Sequence, residues 1–217
     1  MLSEDYLIEQ LNAPTRQERL MAVTGLKKLM DDGFLEKPLQ GEDINNHIHT
    51  TYSFSPYSPS KAVWRAYTAG LCTAGIMDHD SIGGAEEFIE AGKIVGLPTT
   101  IGMEMRVDFS NTPLNGRRIN NPDQDSIAYM AVHGIPHTQI SRAAEFMQDS
   151  RDKRNIRNAR MVEGINARFG GDGLELDFEL DVKPLSLSHL GGSVTERHLL
   201  YALAKKMCGR FGRGQGV

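Results

Sequence analysis

His47-Ile48-His49 sets two imidazoles two residues apart in a run, Ile44 to His49, whose composition predicts a strand. Side chains alternate across a strand, so both rings point to one side and can grip one ion. Alone, such a pair is more often an ordinary core or surface feature. Here it closes a strand, the place where loops of open α/β and barrel folds gather reactive groups. Asp78-His79-Asp80 follows a second predicted strand, Thr73 to Met77, and Glu104 lies in a third, Thr99 to Val107. Three successive strands therefore deliver His47, His49, His79 and Glu104. Imidazoles with a carboxylate, and no thiolate nearby, suit Zn²⁺, Mn²⁺ or Fe²⁺ rather than a structural cysteine-type zinc site.

Other residues extend this set with less force. Arg106 is two residues from Glu104 and is expected to face the same cavity, where its planar fork suits a phosphate; a bridge to Asp108 explains it as well. Gly83-Gly84, at the start of a helix, would let backbone N–H groups approach a phosphate, and a simple turn accounts for the pair equally. Asp78 joins Glu104 and Arg106 as a candidate catalytic residue, although capping or support of a ligand histidine is the commoner use of Asp78 and Asp80. His133 ends a fourth apolar run, Ile127 to Val132, and is a candidate further ligand. His137, in Pro-His-Thr, is expected at a helix start; His189 and His198 are expected to have no catalytic part.

The elements that must carry these residues follow from periodicity. Residues 1–40 read as a helical preface: Thr15-x-x-Glu18 is a capping box, Leu20, Val23, Leu26 and Met30 recur at helical spacing, and Gly33 ends the run. Residues 41–137 alternate strands and helices as a parallel sheet or barrel does, with one helix opening at Ser58-Pro59 and another running from about Gly84 to Gly96. A turn-rich stretch, Ser110 to Asp125, precedes the fourth run. Residues 138–208 change character. Between 150 and 170 six cations (Arg151, Lys153, Arg154, Arg157, Arg160, Arg168) meet only Asp152 and Glu163; an acidic strip from Asp172 to Asp181 and a helix from Thr195 to about Met207 follow. This stretch is expected to be a helical insertion, and residues 209–217 a disordered tail.

The formal charge of −4 is dispersed, which gives no reason to expect wholesale wrapping of nucleic acid or attachment to a membrane surface. Two distant cysteines, Cys72 and Cys208, do not make a disulfide framework, and no apolar run approaches the roughly 20 residues needed to span a bilayer. A cytoplasmic, membrane-free setting is the expectation.

Taken together, H-x-H-T at 47–50, I-M-D-H-D at 76–80 and G-M-E-M-R at 102–106 resemble the polymerase and histidinol phosphatase (PHP) family of metal-dependent phosphoesterases, from about Asp43 to His137. The segment Gly192 to His198 also looks like the helical excursion of some members. The resemblance implies a distorted seven-stranded TIM-like (β/α) barrel with two or three Mn, Zn or Fe ions, and His47, His49, His79 and Glu104 as ligands. It departs at Phe54 and Ser55, where many members place an Asp or His, and in having no counterpart before Val217 of the later Ala-His-Pro-like and Asp-x-His motifs. The chain is therefore expected to be an incomplete barrel that stops inside the insertion, with self-association a way to cover its open edges. The activity implied is hydrolysis of a phosphomonoester or phosphodiester by a metal-activated water, on a small phosphorylated metabolite, a nucleotide or a nucleic-acid end. Two other readings stay open: metal-dependent hydrolysis of a C–N bond as in amidohydrolases, and a non-catalytic metal-binding or interaction module.

Overall fold

A computed structural model describes residues 2–214. The preface forms two helices, α1 (Glu4–Gln10) and α2 (Arg16–Asp31), and Thr15 and Glu18 close the expected capping box. Residues 34–43 are not helical, so the preface ends about where Gly33, at φ +83°, breaks it. α2 is pinned by Arg19, whose guanidinium is buried against Glu87 (Nη2–Oε2 2.5 Å) and donates to the carbonyls of Ala13 and Pro14. Glu87 also accepts from the amide and hydroxyl of Ser60, which draws three helices to one point.

The sheet contains β1 (Ile44–Ile48), β2 (Thr73–His79), β3 (Thr99–Asp108) and β4 (Ile127–Val132), in that order across the sheet. β1, β2 and β3 are parallel, joined by α3 (Pro59–Thr68) and α4 (Ala85–Val95). Ser58 caps α3 with Pro59 at its first turn, and Gly96, at φ +79°, ends α4, both as the sequence predicts. β4 departs from the parallel alternation. Residues 109–126 form a turn-rich loop with no crossover helix, and β4 returns antiparallel to β3. One core, with Val23, Leu26, Val63, Ile76, Phe88 and Ile101 at its centre, lies between the sheet and α2, α3 and α4.

The sheet is curled. His47 lies in one outer strand and His133 directly follows the other, and in a flat sheet three spacings of about 4.8 Å would hold them about 14 Å apart; their ring centroids are 6.4 Å apart. Gly102 permits the approach on the concave side, since a Cβ there would strike the carbonyl of Val132 and the Met77 side chain. The four strands make an arc with two free edges; β1 and β4 are not paired with each other.

Beyond β4 lie α5 (Ile140–Phe146), α6 (Gln148–Phe169), a π-helical turn at Phe178–Val182, and α7 (Glu196–Phe211). This helical region has its own small core of Val162, Leu176, Val182, Val194, Leu199 and Ala202. It seats on the sheet through Ser81 Oγ to the Gly191 carbonyl (2.8 Å), the Ser193 amide to the Tyr52 carbonyl (2.8 Å), and Phe54 edge-on to His198. α7 runs through Phe211, so residues 209–211 extend a helix where the sequence predicts the start of a loose tail: adding a residue to an existing helix is cheap even when its side chain is exposed. Residues 215–217 of that tail lie outside the described residues.

Candidate functional site

β1 bulges between Asn45 and Ile48, and the chain leaves it at His49, so both histidines reach the concave rim. His79 ends β2 directly opposite Glu104 on β3. Four side chains from three strands converge on one oxygen: Glu104 Oε2 lies 3.1 Å from His47 Nε2, 3.6 Å from His79 Nδ1 and 3.7 Å from His49 Nε2. The candidate ligand atoms of His47, His49 and Glu104 all fall within 4.8 Å of one another. His79 stacks on His49 at 4.6 Å, and its Nδ1 is buried with no hydrogen-bond partner. A buried nitrogen lone pair without a donor, beside a carboxylate and two further imidazoles, fits a cation better than it fits packing.

Burial is the main reason His49 and His79 lose protons easily. It holds His49 below the usual imidazole range, helped by His47 and Arg197 and opposed by Asp78 and Glu104. His79 is pushed down to about 4, with Glu104 pulling the other way. Both rings are thus neutral near pH 7, the form a metal requires.

The other predicted residues fall in different places. Asp78 points away from the cavity, is fully buried, and accepts from the Thr50 amide (2.7 Å), Thr50 Oγ1 (2.6 Å) and Ser53 Oγ (2.5 Å). It clamps the loop that follows His49. Arg106 does not share the cavity of Glu104. It contacts Gln124, lies 5.5 Å from the Tyr129 ring, and lines a neighbouring cavity of about 240 Å³, because its side chain leans along β3 past Tyr129. Gly83 and Gly84 are closed to a ligand: a Cβ on either would strike Tyr52, and on Gly83 the Leu190 carbonyl as well. Gly83 lets Leu190 and Tyr52 pack closely, and Gly84 lets α4 start against Pro59, Ile76 and Tyr52. His133 sits at the rim beside His47, exposed and outside the tight group. His137 opens a short 3-10 turn, as expected of a helix start. His198 is buried and accepts the Thr195 amide at 2.9 Å, a capping contact.

A cavity of about 270 Å³ opens on the cluster, lined by His49, Ser53, His79, Glu104 and Tyr129 from the sheet side. Its far wall is Arg154, Thr195, Glu196 and Arg197, all from the helical region that follows β4. Spacing alone did not single these residues out. The one available signal was Arg151, Arg154 and Arg157 at three-residue steps, which share a helix stripe. Arg154 is buried against Asp80 (Nε–Oδ2 2.5 Å), and Arg157 is paired with Glu196. The backbone of Asp80, at φ +45°, donates to the Glu104 carbonyl (2.8 Å), so the Arg154 pair braces the strand ends that carry His79 and Glu104.

No family model matches the chain. It is 36% identical over 126 residues to a 5'-3' exoribonuclease of Haemophilus influenzae, covering 58% of this chain and 45% of that protein. Among solved structures it is similar to a protein described as a metal-dependent phosphoesterase from Bifidobacterium adolescentis, with a TM-score of 0.55 and 22% identity over 83% of this chain and 58% of that one. An amidohydrolase from Chromobacterium violaceum, solved with bound sulfate and no metal, matches with a TM-score of 0.55 and 20% identity over 75% of this chain and 50% of that one. The chain thus spans about half the length of the proteins it matches. The mixed α/β fold of this chain, with its curled sheet, is similar to the fold of these two hydrolases.

Proposed function

We propose that this chain carries the active site of a metal-dependent hydrolase of the PHP type, acting on phosphoesters. The observation that carries the reading is the convergence of His47, His49 and His79 on one oxygen of Glu104. His47, His49, Glu104 and His79 would hold divalent ions, Mn, Zn or Fe and two or three in a complete site, with His133 near enough to His47 to join them. Bound there, such an ion supplies a water acidified toward neutral pH and neutralises charge on a phosphoryl oxygen. Burial keeps His49 and His79 neutral, Asp78 fixes the loop behind His49, and Tyr129 and Arg154 line the cavity that opens on the cluster.

In this reading residues 41–137 are part of a distorted (β/α)7 barrel, 138–208 are its helical insertion, and self-association covers exposed edge residues such as Ile44, Met130 and Val132. The two free cysteines fit a reducing cytoplasm, and among the described residues no helix is long and apolar enough to cross a membrane. The resemblance to an exoribonuclease favours a nucleic-acid end over a nucleotide or a small phosphorylated metabolite as substrate. Hydrolysis of a C–N bond is the second reading, favoured by the amidohydrolase neighbour.

The test is metal content by elemental analysis of the native chain and of the His47→Ala/His49→Ala variant, followed by assays on phosphomonoester, phosphodiester and amide substrates. Metal in the native chain alone, with turnover of a phosphoester, is the expected result. Metal-dependent turnover of amides alone selects the second reading, and metal bound without turnover of any substrate class selects a non-catalytic binding module. No uptake of any ion by the native chain removes the metal centre.

A further inference from the structure

Asp78 and His79 are neighbours on β2 with side chains on opposite faces, yet both bear on His49. His79 stacks on the His49 ring at 4.6 Å. Asp78 reaches the same ring through Ser53, whose hydroxyl lies 2.5 Å from Asp78 Oδ1 and 3.4 Å from His49 Nδ1. Ser53 and Asp78 are both buried, and Ser53 also lines the cavity of the cluster. A hydroxyl has one proton to give. An O–O distance of 2.5 Å is that of a charge-assisted bond to a carboxylate, so the Ser53 proton lies on the line to Asp78. The other contacts of Asp78, the Thr50 amide and hydroxyl, are donors as well, which leaves the carboxylate an acceptor throughout. What Ser53 turns toward His49 is then a lone pair, and the nitrogen that faces it, Nδ1, must carry the imidazole proton. Nε2 keeps its own lone pair, and Nε2 is the atom 3.7 Å from Glu104 Oε2, on the cluster side. Of the three clustered imidazoles only His49 has a hydroxyl behind it among the described residues. The side-chain hydrogen bond of His47 is to Glu104 itself, and His79 Nδ1 has none.

We propose that Ser53 is a positioning residue of this site: with its own proton committed to Asp78, it accepts the Nδ1 proton of His49 and fixes the tautomer whose Nε2 can bind a metal. A hydrogen bond at the back nitrogen also orients a ligand imidazole and makes it the better donor. Because His79 stacks on His49, the same contact steadies two of the candidate ligands. Asp78 thereby acts on the cluster through one hydroxyl, beyond clamping the loop. The inference rests on the metal-dependent reading for what Nε2 binds, whereas the position of the proton is read without any ion.

The test is a two-bond proton–nitrogen correlation spectrum of the imidazole rings in the metal-free full chain near neutral pH, with the His49 signals identified by their loss in His49→Gln. Zn²⁺ affinity is measured on the same proteins by competition with a chelator. Native His49 should carry its proton on Nδ1. Ser53→Ala should move that proton wholly or partly to Nε2 and weaken Zn²⁺ binding about tenfold, the low end for a partner behind a ligand histidine because 3.4 Å is a long contact. Ser53→Thr keeps the hydroxyl and should retain both the Nδ1 proton and Zn²⁺ affinity within about threefold of native. Thr50→Val removes a hydroxyl from Asp78 but none from His49, so it should loosen the loop and leave the proton on Nδ1. A native His49 protonated on Nε2, an unchanged tautomer in Ser53→Ala, or an equal shift in Thr50→Val overturns the proposal. So does a native chain that binds Zn²⁺ no better than Ser53→Ala. The native spectrum decides the point even where a variant fails to fold. A native chain with the proton on Nδ1 that takes up no Zn²⁺ keeps this inference and loses the metal-dependent reading. One that binds Zn²⁺ but carries the proton on Nε2 in its metal-free form does the reverse.

Discussion

The rim of the sheet and the helical region that follows β4 bring polar groups to one cavity under opposite conditions. On the rim, three imidazoles crowd a single carboxylate, and the buried Nδ1 of His79 has no hydrogen-bond partner. On the other side, Arg154, Glu196 and Arg157 of the helical region join Asp80, at the end of β2, in a chain of opposite charges in mutual contact. Paired groups hold a structure together, and groups left without partners wait for a ligand. Substitutions on the two sides should therefore fail in different ways.

The largest loss of stability is expected from the paired side. Arg154→Met would leave Asp80 buried without its cation, at a cost of about 3–5 kcal/mol, read as a shift in chemical unfolding. His47→Ala, on the rim, should stay within about 1 kcal/mol of the native stability while metal uptake collapses. Equal destabilisation by the two would erase the distinction. Asp78→Ala comes next, because it strands three buried donors from Thr50 and Ser53, at about 2–4 kcal/mol. It should also weaken metal retention, since the loop that follows His49 loses its clamp.

A smaller effect appears only with pH. His198 is pushed down to about 4, chiefly by burial, with the Thr195 hydrogen bond opposing. An unfolded imidazole titrates near 6.5, so between about pH 6.5 and 4 the unfolded chain binds a proton that the native chain refuses. Stability from this group is full above 6.5 and declines as pH falls toward 4, by about 3 kcal/mol at most. His79 contributes with the same sign. Unfolding free energy followed from pH 7.5 to 4.5 should thus slope less steeply in His198→Gln than in the native chain, whatever the offset between them. Parallel slopes would mean that the His198 ring is solvated in the folded state.

The sheet side was legible in the sequence because its chemistry is local. A period of two puts His47 and His49 on one face, and strand ends bring His79 and Glu104 to the same rim; Thr15 with Glu18, Ser58 with Pro59, and Gly96 mark helix ends by rules that act over a few residues. The antiparallel return of β4 was not legible, since a turn-rich loop specifies no strand direction. The insertion's share was hidden for a related reason. Three-residue spacing tells which face Arg151, Arg154 and Arg157 share, but not that Asp80 is the partner of Arg154 and Glu196 that of Arg157. Gly83 and Gly84 misled because close packing against Tyr52 and anion binding both ask for a missing Cβ.

Arg106 sharpens the comparison with the least expected change. Spacing placed it beside Glu104, and the pleat does put both on the concave face, opposite Tyr129 and Ala131 respectively. A side chain of that length also leans along its strand, and here it settles over Tyr129 and against Gln124, in the adjoining cavity. Arg106→Gln should leave metal content unchanged, alter stability by less than about 1 kcal/mol as half-exposed polar contacts do, and shift phosphate affinity less than about threefold. A tenfold loss there would mean that the two cavities act as one anion site and that the guanidinium swings over Tyr129 toward Glu104 when phosphate binds.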